Sequence, residues 1–135
     1  MKKITTNIMV EDVNKTIDYY KETLQFNFSM GVNENQEVIT GDVGDSTLTW
    51  AMLKRDDVEI MLQRRDSLIE ELPVFKEMSI GGTFTLYINM QGTKTFYEEI
   101  KNKVEVLKGL HKTFYGADEF VIRDLNGYIL YFAEA

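Results

Sequence analysis

A chain of 135 residues, 44% hydrophobic and 27% charged, fits one globular domain with a core of its own. It has no cysteine, which excludes disulfides, thiolate metal sites and cysteine nucleophiles. The net charge of −7 argues against nucleic acid, whose phosphates require a basic surface, and is compatible with a cationic ligand.

No apolar run approaches the roughly 20 residues of a membrane span. The Met1-Lys2-Lys3 start is not followed by the apolar stretch of a signal peptide, so a cytoplasmic protein with no membrane partner is expected. Residues 4–10 read as a strand. Residues 13–24 read as a helix, because Ile17, Tyr20 and Leu24 fall on one helical stripe. Strands follow at 26–32, 46–54 and 58–64, with a polar, glycine-containing loop over 33–45. A short helix and connector surround Pro73, the only proline. Residues 83–90 form another strand with Phe84, Leu86, Ile88 and Met90 alternating. A second helix beyond Gln91-Gly92 is striped by Tyr97, Ile100 and Val104. Strands at 104–107, 119–123 and 128–133 complete the chain. The last two flank Asp124-Leu125-Asn126-Gly127, where Asn and Gly accept the positive φ of a tight hairpin.

The second series repeats the first. At an offset of 80, Thr5 matches Thr85, Ile17 matches Tyr97, Tyr20 matches Ile100 and Leu24 matches Val104. At an offset of 70 the closing hairpins match, with Asp57 on Gly127, Met61 on Tyr131, Leu62 on Phe132 and Trp50 on Phe120. The order βαβββ, taken twice, predicts an α+β fold: one domain with modules over 1–66 and 81–135 and a connector over 67–80. Alternation sorts the strand faces. Ile4, Ile8 and Val10, then Phe84, Leu86, Ile88 and Met90, with Val58, Ile60 and Leu62, should face the helices. Thr5, Asn7 and Met9, Thr83, Thr85, Tyr87 and Asn89, Glu59, Met61 and Gln63, and Ile129, Tyr131 and Ala133 should face the other way.

Two segments carry a family resemblance. One is Val10-Glu11-Asp12-Val13 leading into Ile17-Asp18-Tyr19-Tyr20 and Leu24-Gln25-Phe26. The other is the hairpin from Glu119 through Arg123-Asp124-Leu125-Asn126-Gly127. Over nearly its whole length the chain resembles the vicinal oxygen chelate superfamily, which includes glyoxalase I, extradiol dioxygenases, fosfomycin-resistance enzymes and bleomycin-resistance proteins. Tyr115-Gly116 before the hairpin is similar to the bleomycin-resistance branch, and Leu125 departs from the proline usual in the turn. The resemblance implies a curved, mostly antiparallel sheet whose concave faces enclose one ligand site, and a homodimer.

Enzymes of that superfamily hold a divalent metal through His, Gln or Glu at four places, which the resemblance maps onto Thr5, Thr85, Met61 and Tyr131. Two threonines, a methionine and a tyrosine are no divalent-cation set, so no metal, no cofactor and no catalytic residue are expected. His111, the only histidine, is read as a loop residue over 109–116, away from all four. The expected ligand contacts are polar groups at Thr5, Asn7, Glu59, Gln63 and Thr85, and aromatic or apolar groups at Met61, Tyr87, Tyr115 and Tyr131. Trp50 is a hairpin core aromatic or a stacking platform. Glu59 could serve as a general base if desolvated. The resulting expectation is a metal-independent protein that sequesters a hydrophobic or planar cationic small molecule. The alternatives are a metal-dependent lyase, isomerase or dioxygenase of the same superfamily, and a metabolite-sensing module.

Overall fold

The computed structural model describes all 135 residues, Met1–Ala135. They form two compact units, Met1–Ile80 and Gly81–Ala135. In the first, β1 (Thr6–Val10) and α1 (Val13–Leu24) precede β2 (Asn27–Asn33), β3 (Val38–Thr40), β4 (Leu48–Arg55) and β5 (Val58–Arg64). Then come α2 (Arg65–Glu71) and a 3₁₀ turn (Pro73–Glu77). The second contains β6 (Thr85–Asn89), α3 (Thr93–Ile100), β7 (Glu105–Lys112), β8 (Asp118–Arg123) and β9 (Ile129–Glu134). The α+β class is as expected. The strand order is β1-β5-β4-β2-β3 in the first sheet and β6-β9-β8-β7 in the second.

In each unit the first strand runs parallel to the last, while the other pairs are antiparallel. That parallel pairing fixes which side chains face the helix. Ile8 lies beside Leu62, and Ile88 beside Phe132. The same register puts Asn7 beside Met61 and Tyr87 beside Tyr131, so the two pairs are related by the offsets of 80 and 70 read from the sequence.

Helix α1 begins because the Asp12 carboxylate accepts the Lys15 N–H at 2.9 Å, the usual N-cap bond. It ends where Gln25 turns left-handed and the Phe26 N–H reaches the Tyr20 carbonyl at 3.0 Å. Its buried face holds Ile17, Tyr20 and Leu24, the stripe expected. Each such side chain contributes about 1.5–3 kcal/mol on burial.

Helix α3 departs from expectation. It stops at Ile100, so Val104 lies outside it, and its most buried aromatic is Phe96, with Tyr97 half-buried against Phe120 at 5.1 Å. Phe96 packs edge-on against Phe132 at 5.3 Å, and Phe132 stacks on Phe120 at 5.1 Å. The aromatic core of the second unit thus turns the helix by one residue.

Other boundaries also move. Part of the expected loop over 33–45 pairs with β2 as β3, with Thr40 opposite Met30. Ile4 is 93% exposed and precedes β1, so it does not face the helix. Phe84 also precedes its strand, and it packs on Tyr128 at 5.6 Å. Trp50 does not match Phe120 by position. It pairs with Gln63, on the face opposite Ala51 and Leu62, whereas Phe120 pairs with Phe132 in the core.

The β8–β9 hairpin closes on Asp124. Its buried Oδ1 accepts the N–H groups of Asn126 and Tyr128, each at 2.9 Å. Gly127 supplies the positive φ of 92°. Leu125 is 46% exposed in the turn, which explains why a non-proline residue is tolerated there. Asp124→Ala leaves two donors unsatisfied and should lower the unfolding free energy by about 1–3 kcal/mol. Urea denaturation with an unchanged slope checks this, and no loss beyond error would show that the turn does not depend on the carboxylate.

Candidate functional site

In the second unit, register rules the sheet face away from α3 into rows. One row runs Tyr87, Tyr131, Val121, Lys108; the next runs Asn89, Ala133, Glu119, His111. The Tyr87 and Tyr131 rings stack at 6.0 Å and 30°, and Tyr87 is 49% exposed.

The β7–β8 turn folds Tyr115 back over this face. Gly116 turns with φ 91°, and Thr113 Oγ1 accepts the Ala117 N–H at 2.9 Å. The Tyr115 hydroxyl then donates to Glu119 Oε2 at 2.9 Å and lies 3.4 Å from the Tyr87 hydroxyl. Glu119 is only 5% exposed. An unpaired buried carboxylate costs on the order of several kcal/mol, so its partners matter. Its hydrogen-bond donor is the Tyr115 hydroxyl, and His111 Nε2 lies 3.4 Å from Oε1, an ion pair only when the imidazole is protonated. The Gly109 carbonyl accepts from His111 Nδ1 at 2.7 Å, which orients the ring. Hydrogen bonds to Tyr87 first and Glu119 second push the Tyr115 phenol well above its ordinary pKa, so it remains a donor. Phe114, Lys112 and Thr113 complete a cleft of about 380 Å³, a size suited to a small organic molecule.

Strand β7 reaches this cleft through two bulges. Glu105, Lys108 and His111 pair in turn with Arg123, Val121 and Glu119, so residues sharing a face are spaced three apart. Strict alternation from Glu105 would have presented Leu107 and Gly109 instead. Bulges are common at sheet edges and beside sites, where they re-aim a side chain.

The first unit presents two comparable rows, Asn7–Met61–Met52–Met30 and Met9–Gln63–Trp50–Val32. Gln63 is already saturated. It accepts from Asn7 Nδ2 at 2.9 Å and donates to Ser67 at 3.1 Å and Glu71 at 3.0 Å, pinning α2 to the sheet. Glu59 bonds to Lys3, and to Lys54 at 2.9 Å. These two ammonium groups, Lys3 foremost, hold its carboxyl below the usual glutamate range. That disfavours the general-base role considered for it, because such a base works best near the operating pH.

Of the expected contacts, Tyr87, Tyr115 and Tyr131 line the second unit's cleft. Thr85 is one row away on the same face, opposite Ile129. Asn7, Trp50, Met61 and Gln63 share the first unit's sheet face, with Glu59 in its ion-pair cluster and Thr5 just before β1. His111 is a strand residue in the cleft with Tyr131, contrary to the loop expected. Glu119, Lys108 and His111 were missed as site residues. Only the Tyr115-x-x-x-Glu119 spacing across a tight turn hinted at one of them.

The chain matches the Glyoxalase/Bleomycin resistance protein/Dioxygenase superfamily over residues 4–132. It belongs to this superfamily. Solved structures agree in fold. A protein of unknown function from Agrobacterium tumefaciens superposes with a TM-score of 0.74 at 17% identity, covering 100% of this chain and 94% of the other. A glyoxalase-related enzyme from Fulvimarina pelagi gives 0.72 at 14% identity, covering 100% and 89%. TioX from Micromonospora sp. gives 0.69 at 12%, covering 99% and 96%. No curated protein matches the chain.

The register changes two of the places to which the resemblance maps metal ligands. Asn7, rather than Thr5, lies beside Met61, and Tyr87, rather than Thr85, beside Tyr131. Neither pair supplies an imidazole or carboxylate. No three His, Asp or Glu side chains converge elsewhere, and His111 with Glu119 makes only two. These donors do not fit a divalent cation.

Two titrations check the electrostatics. By ultraviolet absorbance, Tyr115→Phe should remove a late-ionising phenol component present in the wild type. Any stability from it is present below the ordinary phenol range and lost as pH rises through the raised value. By carbon-13 NMR, Glu59 should titrate below ordinary glutamates, and Lys54→Met should move its midpoint upward. Its contribution is present above the ordinary value and lost as pH falls through the depressed one. Ordinary midpoints in the wild type would contradict the described geometry.

Proposed function

We propose that this protein is a metal-independent small-molecule binder that sequesters a hydrophobic or planar ligand in the manner of the bleomycin-resistance branch. The cationic charge expected of a planar ligand is not part of the proposal, because the cleft's one carboxylate, Glu119, is buried and held by Tyr115. The cleft of the second unit is the proposed seat. The carrying observation is the stacked Tyr87–Tyr131 pair, with Tyr87 half open, beside the Tyr115 hydroxyl. An aromatic wall with a few placed polar groups suffices for binding. Each ring–ring contact adds about 0.5–1.5 kcal/mol beyond the area it buries. Homodimer assembly, which the family resemblance implies, and a cytoplasmic location belong to the same proposal.

The Tyr115–Glu119–His111 array supports a second reading, an enzyme that moves a proton on its ligand. Calorimetric titration with bleomycin and with planar aromatic compounds separates the cases. Sequestration predicts one saturable site per chain and recovery of unchanged ligand. Tyr87→Ala and Tyr131→Ala should each weaken binding about tenfold. Conversion of the ligand during the titration would favour the enzyme, and no saturable binding at high micromolar ligand would sink both.

A further inference from the structure

The charge inside the second unit's cleft does not follow the charge of the chain. The whole protein carries −7, yet the cleft is lined by two lysines, Lys108 and Lys112, against a single carboxylate, Glu119. Partners decide which of these charges is available. The Lys112 ammonium is taken by Asp118 at 2.8 Å. Glu119 is buried and accepts from Tyr115, so a ligand cation would have to displace the Tyr115 hydroxyl to reach it. Lys108 is exposed, and its ammonium has no hydrogen-bond or ion-pair partner.

We infer that the ligand carries an anionic group, a carboxylate, sulfonate or phenolate, at the end that meets Lys108. The inference rests on the cleft being the ligand site. Tyr131, Val121 and Lys108 occupy consecutive strands of one row. Strands lie about 4.8 Å apart, so Lys108 is about 10 Å from Tyr131 along the row, the span of a compact planar ring system. Lys108 shares this face only because Leu107 is the extra residue of a bulge. The Tyr131 hydroxyl can also donate to an anion, whereas the Tyr115 proton is committed to Glu119 and the Tyr87 proton is then the one shared with the Tyr115 oxygen. The long-range field of an acidic chain governs encounter with a ligand; the group in contact governs which ligand stays.

Two fluorescent probes isolate the sign of the charge. 8-Anilinonaphthalene-1-sulfonate and N-phenyl-1-naphthylamine share their rings and differ in the sulfonate. The sulfonate should bind the wild type about fivefold more tightly, as one exposed ion pair permits. That ratio should fall to about one in Lys108→Met and persist in Lys103→Met, an exposed lysine outside the cleft. A wild-type ratio of one or less, or a ratio unmoved by Lys108→Met, overturns the anionic assignment alone, provided both probes bind and weaken in Tyr131→Ala. If neither probe saturates, or Tyr131→Ala leaves both unchanged, the cleft is not the ligand site and both readings fall.

Discussion

Everything else in the molecule depends on the parallel pairing of each unit's first strand with its last, β1 on β5 and β6 on β9. The side-chain period of a strand is two, so a slip of one residue would reverse every face. Burial prevents that slip. Ile8, Val10 and Leu62 in one unit, and Phe132 with Phe96 and Phe120 in the other, can be covered only in the observed register. Once they are inside, Asn7, Met61, Tyr87 and Tyr131 have no choice but the opposite face.

That opposite face is used differently in the two units. In the first, Gln63 spends its amide on Asn7, Ser67 and Glu71, so the polar group most available by sequence is consumed in holding α2. In the second, the equivalent place is the small Ala133, and the polar group comes from the neighbouring strand as Glu119. A buried carboxylate must be satisfied before a core can close over it. The Tyr115 hydroxyl does so only because Gly116 lets the β7–β8 turn fold back. The same fold-back brings Tyr115 to Tyr87, so stabilising the carboxylate and building the aromatic wall are one event.

Much of this was legible in particular residues. The Ile17, Tyr20 and Leu24 stripe, the Asp124–Gly127 turn and the matched pair Met61 and Tyr131 all express short-range rules, namely helical spacing, a positive φ and a repeat. The misses share a cause. Phe96 joined Tyr97 and took the more buried place because an aromatic core selected the helix face, and β3 formed because an edge of β2 was open to it. His111 was read as a loop residue because two bulges break the alternation by which a strand is recognised.

By itself the sequence determined the superfamily and the α+β class. Those properties reside in residue types, local spacing and repetition. Tertiary structure alone decided which polar groups remain available. Glu59 and Gln63 are bound by neighbours more than a few residues away, while Lys108 reaches the cleft through a bulge and stays unpaired. The physical reason is that a side chain's chemistry is written in its type, whereas its freedom to act depends on partners that only the folded register brings within hydrogen-bonding reach.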